Sequence, residues 1–265
     1  MSGPISTGQF HVARGGAQGI DSGPLSGAVV AIGNFDGVHR GHRAVIGAAL
    51  TRARELGRKA AALTFTPHPR RFLRPQDTLF ELSDERNKLR LLAATGLMAP
   101  SSCVLTRRWR RPPPKISSSR FSRVRSVSVA RRSASIFISA RTAWARRVFW
   151  PNRSARLAFA VDIVPPLEDE GRPVSSGAVR AALAAGRVVE ATELLGGPWF
   201  VSGEVIHGDK RGREFGFPTA NLKLSPSCGL KHGIYAVRVD IAGKRHDGVA
   251  SFGRRPHVRR RGALA

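Results

Sequence analysis

The sequence predicts an α/β protein built on a parallel sheet, followed by a smaller β-rich unit. Three observations carry this. Residues 28–33, Ala-Val-Val-Ala-Ile-Gly, form a short apolar run closed by glycine, and residues 60–65, Ala-Ala-Ala-Leu-Thr-Phe, form a second. Runs of this length without polar alternation suit strands buried on both faces. Between them Val45, Ile46, Ala49, Leu50, Ala53 and Leu56 keep a 3.6-residue period over His42 to Leu56, with Gly57 placed for a left-handed C-cap. Strand, helix and strand at this spacing make a βαβ unit, whose strands are parallel.

The remaining elements follow in chain order. Residues 1–25 are rich in Gly, Ser and Pro and are expected to form an extended N-terminal segment. Ser83 is the expected N-cap of a helix reaching about Thr95, with Asp84 and Glu85 at its positive end and Gly96 stopping it. Residues 160–164, Ala-Val-Asp-Ile-Val, read as a strand, and helices are expected over Ser176 to Ala185 and Val189 to Leu195. Gly196-Gly197-Pro198 marks a domain boundary. Beyond it, short β segments are expected at 199–206, 233–242 and from Gly248, separated by glycine-rich turns. The expected division is 1–25, then an α/β domain over 26–195, then a β domain over 198–265.

Composition narrows the function classes. No run of about 18 apolar residues occurs and no basic segment leads an apolar one near the start, so a soluble, cytoplasmic protein without a membrane partner is expected. Cys103 and Cys228 lie far apart without CxxC spacing, which argues against a zinc site or disulfide framework. The net charge of +26 would ordinarily point to nucleic acid, but it is concentrated. Residues 103–157 hold 15 of the 44 basic residues and no acid, and 254–265 hold five arginines; the rest has 24 basic residues against 18 acidic ones. That balance is ordinary for an enzyme handling phosphates and argues against a nucleic-acid partner.

Gly33-Asn34-Phe35-Asp36-Gly37-Val38-His39-Arg40-Gly41-His42 directly follows the first strand and opens the first helix. A helix N-terminus presents unpaired N–H groups and a positive dipole end, both suited to phosphate. Gly33, Gly37 and Gly41 allow close backbone approach, and His39 and His42 stand at that entrance, where imidazole N–H groups would stabilise charge on a displaced pyrophosphate. This stretch resembles the GxFDGxHxGH signature of the FAD synthetase module, an HxGH nucleotidyltransferase, in the prokaryotic bifunctional riboflavin kinase/FMN adenylyltransferases. Thr64-Phe65-Thr66-Pro67-His68-Pro69 resembles the family's TFxPHP segment lining the nucleotide and flavin site.

Two further motifs extend the resemblance. Val174-Ser175-Ser176-Gly177-Ala178-Val179-Arg180 is similar to the ISSTxIR motif, in which Ser hydroxyls at a helix start and an Arg in its first turn clamp an anion; Gly177 replaces the family's Thr. Gly208-Asp209-Lys210-Arg211-Gly212-Arg213-Glu214-Phe215-Gly216-Phe217-Pro218-Thr219-Ala220-Asn221 resembles the riboflavin kinase signature ending in PTAN. The resemblance implies a Rossmann-like nucleotidyltransferase domain followed by an antiparallel β-barrel kinase domain, shortened at its C-terminus. It also implies phosphorylation of riboflavin to FMN and adenylylation of FMN to FAD, with ATP and Mg2+. By position it assigns His39 and His42 to catalysis, and Gly33, Phe35, Asp36, Gly41, Pro67, His68, Ser175, Ser176 and Arg180 to nucleotide binding. It assigns Gly208, Lys210, Arg211, Gly212, Phe217 and Pro218 to ATP and flavin in the kinase, and Thr219 and Asn221 to magnesium.

The resemblance covers about 26–102 and 158–256. Residues 103–157 match no family segment and show neither helical nor strand periodicity; Arg-, Ser-, Pro- and Ala-rich text without acids is what GC-rich coding DNA gives out of frame. The hypothesis is two short frame changes, near 103 and 157, and a third near 257; resequencing that failed to recover family-like text by single-base restoration would refute it. Kinase activity is then expected to be absent or very low, the acidic base being missing, and adenylyl transfer to be impaired. The rival readings are another HxGH nucleotidyltransferase, against which PTAN argues, and a non-catalytic basic protein, against which the ordered motifs argue.

Overall fold

A computed structural model describes residues 13–15, 27–97, 99–104, 135–139, 160–207, 216 and 219–253. The two apolar runs form adjacent strands, β2 (Val29–Ile32) and β3 (Ala60–Thr66), joined by α1 (Arg40–Glu55). They pair in parallel, Val29 opposite Ala60 and Ile32 opposite Leu63. Small residues at Ala31, Ala60 and Ala62 let α1 lie close to the sheet, and Val45, Ile46, Ala49 and Ala53 bury its inner face there. Each large apolar side chain so buried contributes roughly 1.5–3 kcal/mol. Gly57 ends the helix at φ 59°, as its spacing predicts, and Arg58 N–H returns to the Ala53 carbonyl.

Four more strands complete the sheet: β1 (Ala13–Gly15), β4 (Ala99–Val104), β5 (Ser135–Ser139) and β6 (Ala160–Val164). Its order is β1-β4-β3-β2-β5-β6, and every pairing is parallel. From β2 the chain builds outward to β4, then crosses back to place β5 on the other side of β2. The carboxyl ends of β2 and β5 therefore flank a reversal of strand order, where open α/β sheets bind ligands. The stretch Gly33–His42 leaves the sheet at this place.

Several expectations need correction. The N-terminal segment is not merely extended, because residues 13–15 pair with β4 as an edge strand. The arginine-rich stretch, expected to lack strands, supplies β5, hydrogen-bonded between β2 and β6. Its Ser-Ile-Phe-Ile-Ser is β-branched and aromatic but too short to show periodicity, so pairing with two neighbours decides its state. Asp84, not Ser83, caps α3 (Glu85–Ala93), accepting from Asn87 N–H at 2.7 Å. The Ser83 hydroxyl is occupied elsewhere, accepting from Gly37 N–H at 3.0 Å. The Pro-His-Pro turn opens a short helix, α2 (Pro69–Leu73), capped by His68.

A two-residue hairpin, β7 (Glu168–Asp169) and β8 (Arg172–Pro173), turns at Glu170-Gly171 and leads to α4 (Ser176–Ala184) and α5 (Val188–Leu195). These two helices share a core of Val179, Ala182, Leu183, Ala191 and Leu195, with Leu82 from the loop before α3. Gly196 caps α5 in the left-handed region, at φ 73°. Beyond it lie two antiparallel pairs: β9 (Val205–Ile206) with β10 (Asn221–Leu222), and β11 (Gly233–Ile241) with β12 (Lys244–Phe252). The strand expected over 199–206 is confined to its last two residues. Trp199 instead turns its indole N–H to the Leu82 carbonyl at 2.8 Å and packs edge-on against Phe80.

Candidate active site

The turn after β2 is built by backbone conformations that most residues avoid. Phe35 and Val38 adopt φ of 47° and 43°, and Gly37 adopts 79°. Left-handed backbone at a β-branched residue is costly, so surrounding structure must impose it. It does so by burial, since Phe35 is 1% exposed and Val38 is fully buried. A Cβ on Gly37 would lie 2.9 Å from Leu82 Cδ1, so the turn tolerates only glycine there.

Asp36 is the anchor. Its buried carboxylate accepts from Leu82 N–H and Ser83 N–H, each at 3.1 Å, from the Ser83 hydroxyl at 3.4 Å, and from Arg180. Its carbonyl accepts from the Ser176 hydroxyl at 2.9 Å. One residue thus ties the turn after β2 to the start of α3 and to α4. Arg180 also donates through Nε to the Phe80 carbonyl at 2.5 Å. Asp36 and Arg180, expected to face nucleotide, are turned toward each other, and the carboxylate is fully engaged by protein donors.

The two histidines meet at the start of α1. His39 is its N-cap, and its Nδ1 accepts from His42 N–H at 3.3 Å, which places the ring proton on Nε2. The rings stack with centroids 3.6 Å apart, and Phe35 meets His42 edge-on at 5.3 Å. Gly41 makes this stacking possible: a Cβ there would lie 3.2 Å from the His39 ring and from the Val174 carbonyl. Burial holds His42 well below the usual histidine pKa, with the His39, Lys88 and Arg180 charges acting in the same direction. Its Nδ1 is buried and has no hydrogen-bond partner among the described residues. A neutral imidazole with one open nitrogen is thereby held at a helix N-terminus.

The surrounding candidates fall around this pair. Gly33 lets the Phe35 ring come within 3.0 Å of where a Cβ would stand. Pro67 follows a cis peptide bond, and His68 Nδ1 accepts from Arg70 N–H at 3.1 Å. Burial lowers the His68 pKa to about 4; Asp36 opposes the shift, and Lys88, Arg180 and Arg70 add to it. Ser175 caps α4, its hydroxyl accepting from Ala178 N–H at 3.1 Å. A side chain at Gly177 would have room, the nearest atom being Ser175 Oγ at 3.7 Å. Gly208, Lys210, Arg211, Gly212, Phe217 and Pro218 lie outside the described residues. Thr219 is exposed and Asn221 half-buried at the start of β10.

Two participants escaped the sequence reading. Ser83, expected as a cap, instead accepts from Gly37 N–H through its hydroxyl and donates its own N–H to Asp36. Lys88, 3% exposed, carries no expectation from the sequence. Its signal was present: it shares a face with Leu92, one turn on, and that face is buried. A cavity of about 280 Å³ is lined by Gly37, Arg43, Asn87, Trp199 and neighbouring apolar residues, but by none of the three histidines.

The family models and the sequence relatives agree on one description. The FAD synthetase family model matches residues 22–111, and the riboflavin kinase model matches 195–264. The bifunctional riboflavin kinase/FMN adenylyltransferase of Bacillus subtilis (strain 168) is 34% identical over 235 residues, covering 86% of this chain and 72% of that protein. Those of Pseudomonas fluorescens and Escherichia coli (strain K12) are also 34% identical, covering 88% and 92% of this chain and 74% and 78% of the relatives. A solved structure described as a macrolide-efflux protein from Streptococcus pneumoniae is similar at a TM-score of 0.77 and 26% identity, over 94% of this chain and 81% of that one. Among the described residues no helix is long and apolar enough to cross a membrane.

Proposed function

Since the chain belongs to the family of bifunctional riboflavin kinase/FMN adenylyltransferases, we propose that the His39–His42 pair at the start of α1 is its adenylyl-transfer site. In this reading residues 26–195 form a Rossmann-like domain that transfers AMP from ATP to FMN, and 198–265 form the β-barrel riboflavin kinase part, whose own activity is expected to be absent or very low. The strand order around β2 supports the first assignment. The observation that carries the function is the open, buried Nδ1 of His42 beside the stacked His39 ring.

The reaction is a displacement at phosphorus. A phosphate oxygen of FMN forms a bond to the α-phosphorus of ATP, the bond from that phosphorus to the bridging oxygen breaks, and pyrophosphate leaves with the charge. No group of the protein need bond to the substrate; alignment and charge stabilisation suffice. The α1 N-terminus and the two imidazoles donate N–H groups to the phosphates. Gly33 and Gly41 give the nucleotide close approach to backbone, while Phe35, Pro67 and His68 wall the pocket. Ser175 and Ser176 place the N-terminus of α4 opposite, and Arg180 stabilises the anion chiefly by field, its guanidinium already holding Asp36 and the Phe80 carbonyl.

In the kinase part, Gly208, Lys210, Arg211, Gly212, Phe217 and Pro218 are assigned to ATP and flavin, and Thr219 and Asn221 to magnesium. Two neutral oxygen donors suit a magnesium ion that keeps waters and phosphate oxygens as its other ligands. When bound, that ion neutralises phosphate charge. The test is incubation of the purified chain with magnesium and ATP plus FMN, or plus riboflavin, followed by chromatography. FAD and pyrophosphate formed from FMN, reduced about 100-fold or more by His42→Gln, are the expected products of the first site. A chain that neither binds ATP nor forms FAD refutes the assignment.

A further inference from the structure

Arg43 follows His42 on α1 and lines the cavity of about 280 Å³ that none of the three histidines borders. Its Nε is buried and has no hydrogen-bond partner among the described residues. A guanidinium keeps its charge, and a buried charged donor left without an acceptor is costly. Such a donor calls for an acceptor that the chain itself does not supply.

The rest of the lining says what kind of acceptor. Trp199 and Phe200 wall the cavity, with Leu82 and Leu91 among the apolar residues that complete it. The indole is fixed in place: its N–H donates to the Leu82 carbonyl at 2.8 Å, and its ring meets Phe80 edge-on at 5.8 Å. The other polar side chains of the lining are occupied within the protein. Ser83 accepts from Gly37 N–H at 3.0 Å, while Asn87 accepts from the Ser202 hydroxyl at 2.9 Å and donates to Asp84 at 3.4 Å. No acid is among the lining residues. One open cationic donor thus borders an aromatic and otherwise apolar space, which suits a ring bearing a negative charge and disfavours a cation. The volume falls just below the roughly 300–1,000 Å³ of typical small-molecule sites, which limits the occupant to one or two fused rings.

We propose that this cavity binds a small aromatic carboxylate, its ring against Trp199 and Phe200 and its carboxylate accepting from Arg43. The site is separate from the histidine pair and does not rest on the reading of that pair. Gly37 of the turn after β2 and Gly197 of the domain boundary both border it, so an occupant touches the turn and the start of the second unit at once.

The full chain is titrated calorimetrically with 2-naphthoate and with the neutral 2-naphthylmethanol, each with and without excess ATP, and the titrations are repeated on Arg43→Met and Phe200→Ala. 2-Naphthoate is expected to bind whether or not ATP is present, about tenfold or more tighter than the alcohol, because its carboxylate completes a charge-assisted hydrogen bond. Arg43→Met is expected to bind the two probes alike. Phe200 is 37% exposed, so Phe200→Ala removes little of the core, and it is expected to weaken both probes about fivefold or more. Equal affinity for the two probes in the unchanged chain, or an advantage for 2-naphthoate that survives in Arg43→Met, overturns the proposal. Loss of 2-naphthoate binding in excess ATP also overturns it, since the probe would then share the nucleotide's place. Should Arg43→Met fail to fold, Phe200→Ala decides, and full affinity there refutes the site. An unchanged chain that binds neither probe has water alone on Arg43 and refutes it as well.

Discussion

Replacing Asp36 with Asn removes one charge from the most heavily bonded side chain in the site. The carboxylate is 1% exposed and accepts from two backbone N–H groups, a hydroxyl and the Arg180 guanidinium. Breaking a buried ion pair costs about 3–5 kcal/mol, chiefly because the other charge is left without a partner. Arg180 is 22% exposed, so water recovers part of that cost. Asn keeps one acceptor oxygen but turns an NH2 toward donors, leaving a buried donor unsatisfied at about 1–3 kcal/mol. Together these give a loss of about 3–7 kcal/mol, a large share of a typical total of about 5–15 kcal/mol. Urea unfolding of Asp36→Asn, Arg180→Met and the double variant would measure it, with a coupling of about 1–3 kcal/mol between the two positions. A loss below about 0.5 kcal/mol, or additivity within that margin, would refute the anchoring role.

Gly37→Ala forces a side chain into φ 79° and 2.9 Å from Leu82 Cδ1; a loss of about 1–3 kcal/mol is expected by urea unfolding, and wild-type stability would contradict the tight turn. Gly177→Thr restores the hydroxyl the family carries in a position with room for it. The expected result is unchanged or slightly higher stability and tighter ATP binding by roughly two- to tenfold, from one added hydrogen bond; weaker binding in titration would count against α4 as a phosphate contact. His68 titrates near 4 in the folded chain and near 6.5 when unfolded, so between these values the unfolded state binds more protons. Stability from this group is full above about 6.5 and is lost as pH falls toward 4, with His42 acting in the same direction. His68→Gln should flatten the stability profile in that window, and superimposable profiles for the two proteins would sink the attribution.

Much of the fold was legible because local signals and tertiary demands agreed. Ala60 to Phe65 is apolar throughout and lies inside a parallel sheet; Val45, Ile46, Ala49 and Ala53 keep one face because α1 packs that face on β2 and β3. The signals failed where pairing or side-chain competition decided. Ser135–Ser139 is too short to announce a strand among arginines, yet neighbours on both sides hydrogen-bond to it. Ser83 and Asp84 are both good N-caps, and Asp84 takes the role because Gly37 and Asp36 claim Ser83.

The candidate site divides in the same way. The spacing of His39, Gly41 and His42 after a strand, with TFTPHP and PTAN elsewhere, determined the family, because such backbone geometry demands particular residues at particular intervals. Only the tertiary structure decided what Asp36 and Arg180 do. Their roles depend on partners 46 to 144 positions away. A charge is read from sequence one residue at a time, but its energy is set by what surrounds it, and that is known only once the chain has folded.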